Sequence, residues 1–334
     1  MTLGGSDGST PLGTLIFDKL GNLYGTTSGP TGSGSSIFEL SPPSTPGGAW
    51  IKTTLLLFPD STFGGPTGKL AMDAAGNLYG TTPEGGTHNK GLVFELVKPK
   101  TAGAPWAERI LHNFGAFAYD GFGPSPDLLL RGGILYGTTQ RSGTANQGTV
   151  FSLAPKNGVW TETTLHSFTG SEGKNPRGGL IMDSAGNLYG TTHDGGFFND
   201  LCGSGCGTVF ELSPPTVAGD PWAETTLFQF SGSSTGAAPY GALWHNKDGV
   251  LYGTTTYGYS GNRGSNLGTV FKLKPPATAG GEWTEVVLHY FGGISIGDGS
   301  TPTGALILSN GVFYGTTVGG GDGSGTVFSL SVAP

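Results

Sequence analysis

The chain writes one phrase six times. Leu-Tyr-Gly-Thr-Thr, with Phe for Leu in the last copy, centres on Tyr24, Tyr79, Tyr136, Tyr189, Tyr252 and Tyr314. The steps between copies are 55, 57, 53, 63 and 62 residues. A period of this size constrains the architecture before any single residue does. Each repeat must be one supersecondary unit that buries its apolar face against its neighbours.

The fourth copy shows the unit most plainly. Gly179 to Asp183 is short and apolar, and the turn Ser184-Ala185-Gly186-Asn187 leads from it into Leu188–Thr192. Gly207 to Leu212 follows a Gly-rich loop and stops at Pro214-Pro215. Trp222 to Phe230 then alternates over a longer span. These are four strand-sized segments rich in Val, Ile, Thr and aromatics, each bounded by turn residues. None has a helical period. A parallel β-helix needs shorter coils, and an immunoglobulin-like array needs about 100 residues per module.

Four strands per repeat predicts an all-β, six-bladed β-propeller of four antiparallel strands per blade. It forms one domain over residues 1–334, with blades at about 11–58, 66–114, 124–168, 176–230, 239–291 and 302–332, the last closed by residues 1–10. The third strand recurs at Phe38, Phe94, Phe151, Phe210, Phe271 and Phe328. The fourth recurs only at Trp50, Trp106, Trp160, Trp222 and Trp283. The opening Met1-Thr2-Leu3-Gly4-Gly5 matches only the tail of a fourth strand, Phe291-Gly292-Gly293. The sixth blade is therefore expected to lack a full outer strand. That leaves either a monomer or pairing with another chain along the exposed edge.

Composition narrows the partners. The 64 Gly and 22 Pro recur in register with aromatic and β-branched residues, so they read as turn chemistry rather than low complexity. Only 12% of residues are charged and the net charge is −7, with no basic stripe, which argues against nucleic acid. No apolar run reaches the roughly 18 residues a membrane-spanning helix needs. The N-terminus lacks a signal-peptide core and begins partway through a repeat, so an upstream piece is expected to have been removed. Cys202 and Cys206 are read either as a local disulfide or as two free thiols.

Residues 73–82, Asp-Ala-Ala-Gly-Asn-Leu-Tyr-Gly-Thr-Thr, followed by Gly91-Leu92-Val93-Phe94-Glu95-Leu96, resemble the Gloeo/Verruco (GloVer) repeat. The resemblance covers nearly the whole chain. It implies a bacterial, extracytoplasmic protein, secreted or at the cell surface. It supplies no activity and no catalytic residue.

Symmetry separates structural from functional residues. A residue present in every blade serves the blade, whereas a reaction centre needs groups that occur once. By that test the tyrosines, the Thr-Thr pairs and the tryptophans are structural. His112, His166 and His289 share the sixth position after their blade's Trp and read as packing histidines, as does His245 in an inner-strand slot. The Asp-Gly pairs at 7, 120 and 298 read as Asx-type turns.

The once-only residues lie in the loops between second and third strands, on the face where binding residues of a rigid scaffold gather. They are Glu84, His88 and Lys90 in blade two; Arg141 in blade three; His193, Asp194, Phe197, Phe198 and Asp200 in blade four; and Tyr257, Tyr259 and Arg263 in blade five. The expectation is a ligand at this face, a small molecule or polysaccharide, with carbohydrate favoured by aromatic and Asn residues on Gly-rich loops. The alternative is an enzyme using the same face. One form is a hydrolase of esters or phosphoesters with a divalent metal, Zn or Ca, on His88, His193 and Asp194. The other is a lyase of acidic polysaccharides, with Arg141 or Lys90 beside the uronate and His or Tyr as base. A solvated set of loop residues is the bland alternative to both.

Overall fold

A computed structural model describes residues 10–11, 13–28, 34–58, 65–101, 103–232, 234–258, 267–278, 280–293, 297–320 and 323–332. The chain folds as an all-β, six-bladed propeller of antiparallel sheets, with no helix among the described residues. Two compact units divide it, residues 1–143 with 150–164, and residues 144–149 with 165–334. Each is described on its own.

Every letter of the repeated phrase has a structural task. Its Leu packs into the sheet, half-buried at Leu23 and fully enclosed at Leu78, Leu135 and Leu188. In blades one, two and four its Tyr donates from the hydroxyl to the Asp that opens the preceding turn: Tyr24 to Asp18 at 3.2 Å, Tyr79 to Asp73 at 3.1 Å and Tyr189 to Asp183 at 3.2 Å. The same Asp accepts backbone N–H groups two and four residues on, which is why the turn closes tightly. Its Gly leaves room for the third-strand Phe: a Cβ on Gly190 would sit 2.6 Å from the Phe210 ring.

The two threonines bond in different directions. The first reaches towards the next blade, Thr26 to the Gly68 carbonyl at 3.1 Å and Thr81 to the Ser125 carbonyl at 3.0 Å. The second bonds within its own sheet, Thr192 to Thr208 at 2.9 Å and Thr255 to Thr269 at 2.7 Å. Each hydroxyl so paired avoids the roughly 1–3 kcal/mol an unpaired one would cost, whereas the hydroxyls of Thr138 and Thr191, the first threonines of blades three and four, are buried without a partner among the described residues.

In blades one to five a fourth strand closes the sheet, and its aromatic residues pack against neighbouring blades. Trp106 packs edge-on against Tyr24, and Phe114 against Phe151 at 5.2 Å. Within the second unit, Phe168 meets Phe210 and Phe230 meets Phe271, again at 5.2 Å. His112, His166 and His289 pack edge-on over the Phe two residues on, as packing histidines should. They do more than fill space. His112 bonds Asp120 at 3.1 Å and His289 bonds Asp298 at 2.9 Å, while His166 faces Glu172 at 3.6 Å. Asp120 and Asp298 each also accept a backbone N–H of the same loop, so one carboxylate ties the loop to the strand before it. Asp7 lies outside the described residues.

One departure from the expected blade concerns the innermost strand. In blades three to six it is broken into two pieces, for example Lys174–Pro176 and Ile181–Met182 in blade four. The break follows from a proline that has no N–H for the ladder. The residue before it takes positive φ: 55° at Asn175, 54° at Ala238 and 58° at Thr301. Its N–H turns instead to the preceding loop, Ala238 to the Cys206 carbonyl at 2.8 Å and Thr301 to the Leu267 carbonyl at 2.7 Å.

Blade six has its first three strand positions: Gly299–Pro302 with Ile307–Ser309, then Val312–Gly320, then Thr326–Ser331. Among the described residues nothing pairs with the outer side of Thr326–Ser331. The segment expected to close this blade, residues 1–9, lies outside the described residues.

Candidate functional site

In the second unit, the long loop of blade four doubles back over the end of its own second strand, Leu188–Asp194. Cys202 and Cys206 are joined there as a disulfide, with Cα atoms 5.1 Å apart, which decides between the two readings of the pair. The Asn199 side chain accepts N–H groups from Leu201 and Cys202 and donates to the Ser231 carbonyl, so the loop is held at both ends. This loop, the strand end and the inner strand of blade five enclose a cavity of about 200 Å³. His193, Asp194, Cys202, Gly232, Ala238 and Tyr257 are among its lining residues.

His193 and Asp194 form a pair, with Nδ1 of the histidine 3.1 Å from Oδ1 of the carboxylate. Asn175 donates from Nδ2 to the other carboxylate oxygen at 2.9 Å. Burial alone would push the Asp194 carboxyl up. The hydrogen bonds from His193 and Asn175, with the charges of His193 and Arg177, outweigh it and hold the pKa below the ordinary value. Arg177 stacks over Tyr240 at 5.6 Å, and the His193 ring meets the same tyrosine edge-on at 6.2 Å. Leu201 and Tyr257, which line the cavity, are exposed; Phe197 and Phe198 on the same loop are exposed too, and Lys174 lies 5.8 Å over Phe198. Asp200 is exposed nearby in the sequence.

The chemistry available is a polar floor with a fixed His–carboxylate pair, and the exposed Tyr257 ring. Among the described residues Nε2 of His193 has no protein partner, so it remains for a ligand. An Asp that holds one ring nitrogen sets the tautomer and leaves the other to exchange a proton.

In the first unit, Lys90 and Arg141 flank one ring, at 4.5 and 5.8 Å from the centre of Phe122. His88 and Lys90 both pass over Gly115. Glu84, His88, Lys90 and Arg141 are exposed. The structure thus brings Lys90 and Arg141 together, and separately His193, Asp194 and Tyr257. Among the described residues no group of three or more His, Cys, Asp or Glu is arranged to hold a metal ion, and the metal expected on His88, His193 and Asp194 is carried no further. Tyr259 and Arg263 lie outside the described residues.

Four residues of the second unit's site were not anticipated: Lys174, Asn175, Arg177 and Tyr240. All flank the inner-strand prolines Pro176 and Pro239 rather than sitting in the long loops. The position after that proline reads Thr67, Ser125, Arg177, Tyr240 and Thr303 in successive blades. The symmetry test, applied there, singles out Arg177 and Tyr240.

A family model described as the Gloeobacter/Verrucomicrobia repeat matches residues 101–328. No curated protein matches the sequence significantly. Solved structures share the fold at low identity. A protein of unknown function from Dyadobacter fermentans is 11% identical, with 99% of this chain and 97% of that one covered at a TM-score of 0.54. A putative oxidoreductase (glucose dehydrogenase) from Thermus thermophilus is 17% identical, with coverage of 97% and 98% and a TM-score of 0.55. An ulvan lyase from a new polysaccharide lyase family, bound to a GlcA–Rha3S unit, is 10% identical, with coverage of 97% and 86% and a TM-score of 0.52.

Proposed function

From the premise that this chain belongs to the Gloeobacter/Verrucomicrobia repeat family, we propose that it is an extracytoplasmic carbohydrate-binding propeller, with its site at the cavity of His193, Asp194 and Tyr257. The observation that carries the reading is that cavity, about 200 Å³, lined by a paired His and carboxylate together with the exposed Tyr257. Sugars present an apolar ring face and a fringe of hydroxyls. The exposed Tyr257 ring takes the first, and the His193–Asp194 pair takes the second by charge-assisted hydrogen bonds. The Cys202–Cys206 disulfide supports an oxidising compartment. Two of the structural neighbours carry sugar names, one for glucose and one for an acidic polysaccharide.

The test is a glycan array followed by titration of the best oligosaccharide. Tyr257→Ala and His193→Ala each lower affinity at least about tenfold, the scale of one aromatic or charged contact. Retained affinity in both variants removes this cavity as the site, and an array without a hit removes carbohydrate as the ligand.

A second reading, catalysis on an acidic sugar, has one specific observation behind it. The Arg177 charge acts on Asp194, and His193 leaves Nε2 for a substrate. A cation beside a proton-accepting His is what abstraction next to a carboxylate requires. Appearance of unsaturated ends on a uronate polymer, lost in His193→Ala, distinguishes this reading from binding alone.

A further inference from the structure

A second cavity opens in the first unit, at the end of blades one and two where the short turns between first and second strands lie. It holds about 420 Å³, within the roughly 300–1,000 Å³ of small-molecule sites. Residues 17–20 of blade one and 72–76 of blade two line it, together with Lys98 just beyond the third strand of blade two. The turn itself is a repeated element, but several of the side chains around the cavity are not. Leu20 stands at a turn tip where blades two, four and five carry Ala75, Ala185 and Asp248, and it is 78% exposed. Phe17 is exposed as well, whereas its counterparts Met72 and Met182 are half-buried.

Lys98 is the sharper departure. Blades four and five have Pro214 and Pro275 at this position, and those rings lie over the turn glycines, 3.8 and 3.9 Å from a Cβ placed on Gly186 or Gly249. In blade two the lysine stem occupies that place, with Cδ 2.9 Å and Nζ 3.4 Å from a Cβ placed on Gly76. Its backbone N–H donates to Oδ1 of Asn77 at 2.9 Å, which fixes the point from which the side chain starts.

The charges around the cavity divide into committed and free. Asp18 accepts from the N–H groups of Leu20 and Asn22, the Asn22 amide and the Tyr24 hydroxyl. Asp73 accepts the equivalent four donors in blade two. Both carboxylates are thus occupied in closing their own turns. Among the described residues neither the Lys19 nor the Lys98 ammonium has a hydrogen-bond or ion-pair partner. What the cavity offers a ligand is an apolar surface of Phe17, Leu20 and Met72 with two uncommitted cations.

We propose that this cavity binds a small aromatic carboxylate, its ring against Phe17, Leu20 and Met72 and its carboxylate at the ammonium groups of Lys19 and Lys98. Aromatic packing on Phe17 and charge-assisted hydrogen bonds from the lysines supply the two halves of the recognition. A neutral sugar is the poorer fit, because its hydroxyls need acceptors and the Asp18 and Asp73 oxygens already hold theirs. The site therefore stands apart from the sugar-binding reading and does not depend on it.

The probe is 2-naphthoate, titrated calorimetrically into the full-length protein, with the uncharged 2-naphthalenemethanol as comparison. The expected result is saturable one-to-one binding of the naphthoate. Lys98→Gln and Leu20→Asp each weaken it at least about tenfold, and the alcohol binds at least about tenfold more weakly than the acid. Leu20 is exposed, and Lys98→Gln keeps the backbone bond to Asn77, so both variants keep the fold; unchanged melting temperatures verify that. Tyr257→Ala, in the other unit, leaves naphthoate binding unaltered. Four results overturn the proposal: no saturable binding; affinity that survives both Lys98→Gln and Leu20→Asp; an alcohol that binds as tightly as the acid; or affinity lost in Tyr257→Ala, which puts the ligand in the His193 cavity.

Discussion

Asp183 shows how much one repeated residue carries. Its carboxylate accepts from two backbone N–H groups, the Asn187 amide and the Tyr189 hydroxyl, all at 2.9–3.2 Å. Asp183→Ala leaves those donors without their acceptor and is expected to destabilise the fold by about 1–3 kcal/mol, read from denaturant unfolding. Gly190 carries a complementary constraint. A methyl group there meets both Phe210, at 2.6 Å, and Leu180, at 2.9 Å. Gly190→Ala is expected to cost about 1–3 kcal/mol through overpacking, with the same unfolding experiment as the check. These structural roles were legible in the sequence because the residues recur. The His–carboxylate ties were legible only in part. The shared position of His112, His166 and His289 marked them as packing residues, but their partners sit six to nine residues away across loops, and nothing in local propensity fixes such a loop.

The fourth strand holds a second repeated feature, a Glu two residues after the Trp. Burial pushes the carboxyls of Glu108, Glu162, Glu224 and Glu285 up, those of Glu224 and Glu285 to about 7. One oxygen of Glu285 is buried without a partner. The folded state therefore holds protons that the unfolded chain releases near its ordinary carboxylate pKa. Stability falls as pH rises from about 4.5 to about 7 and stays lower above that. Glu224→Gln and Glu285→Gln are expected to flatten this slope and raise stability at pH 8, each by less than about 1 kcal/mol because the groups are partly solvated. Melting temperatures at pH 5 and pH 8 check it; equal slopes in wild type and variants contradict it. At this scale the inner strand was read in its second piece only, Ile181–Met182 in blade four; the piece ending at the proline was missed, because that proline also lets the preceding N–H leave the ladder for a neighbouring loop.

Across the whole molecule, sixfold repetition made the six-bladed propeller readable before any coordinate. The candidate site was readable only as a set of loops. His193, Asp194 and Tyr257 were named from them, while Arg177, Asn175 and Tyr240 reach the same place from the inner strands of blades four and five. The account rests on a division of labour: repeated residues build blades, and residues that occur once at the blade-four and blade-five loops hold a sugar. The most direct measurement is a crystal structure with the array-selected oligosaccharide bound. The account predicts a sugar ring against Tyr257, with hydroxyls within hydrogen-bond distance of His193 and Asp194. Sugar density lying instead against the repeated tyrosines and tryptophans, with the His193 cavity empty, contradicts it.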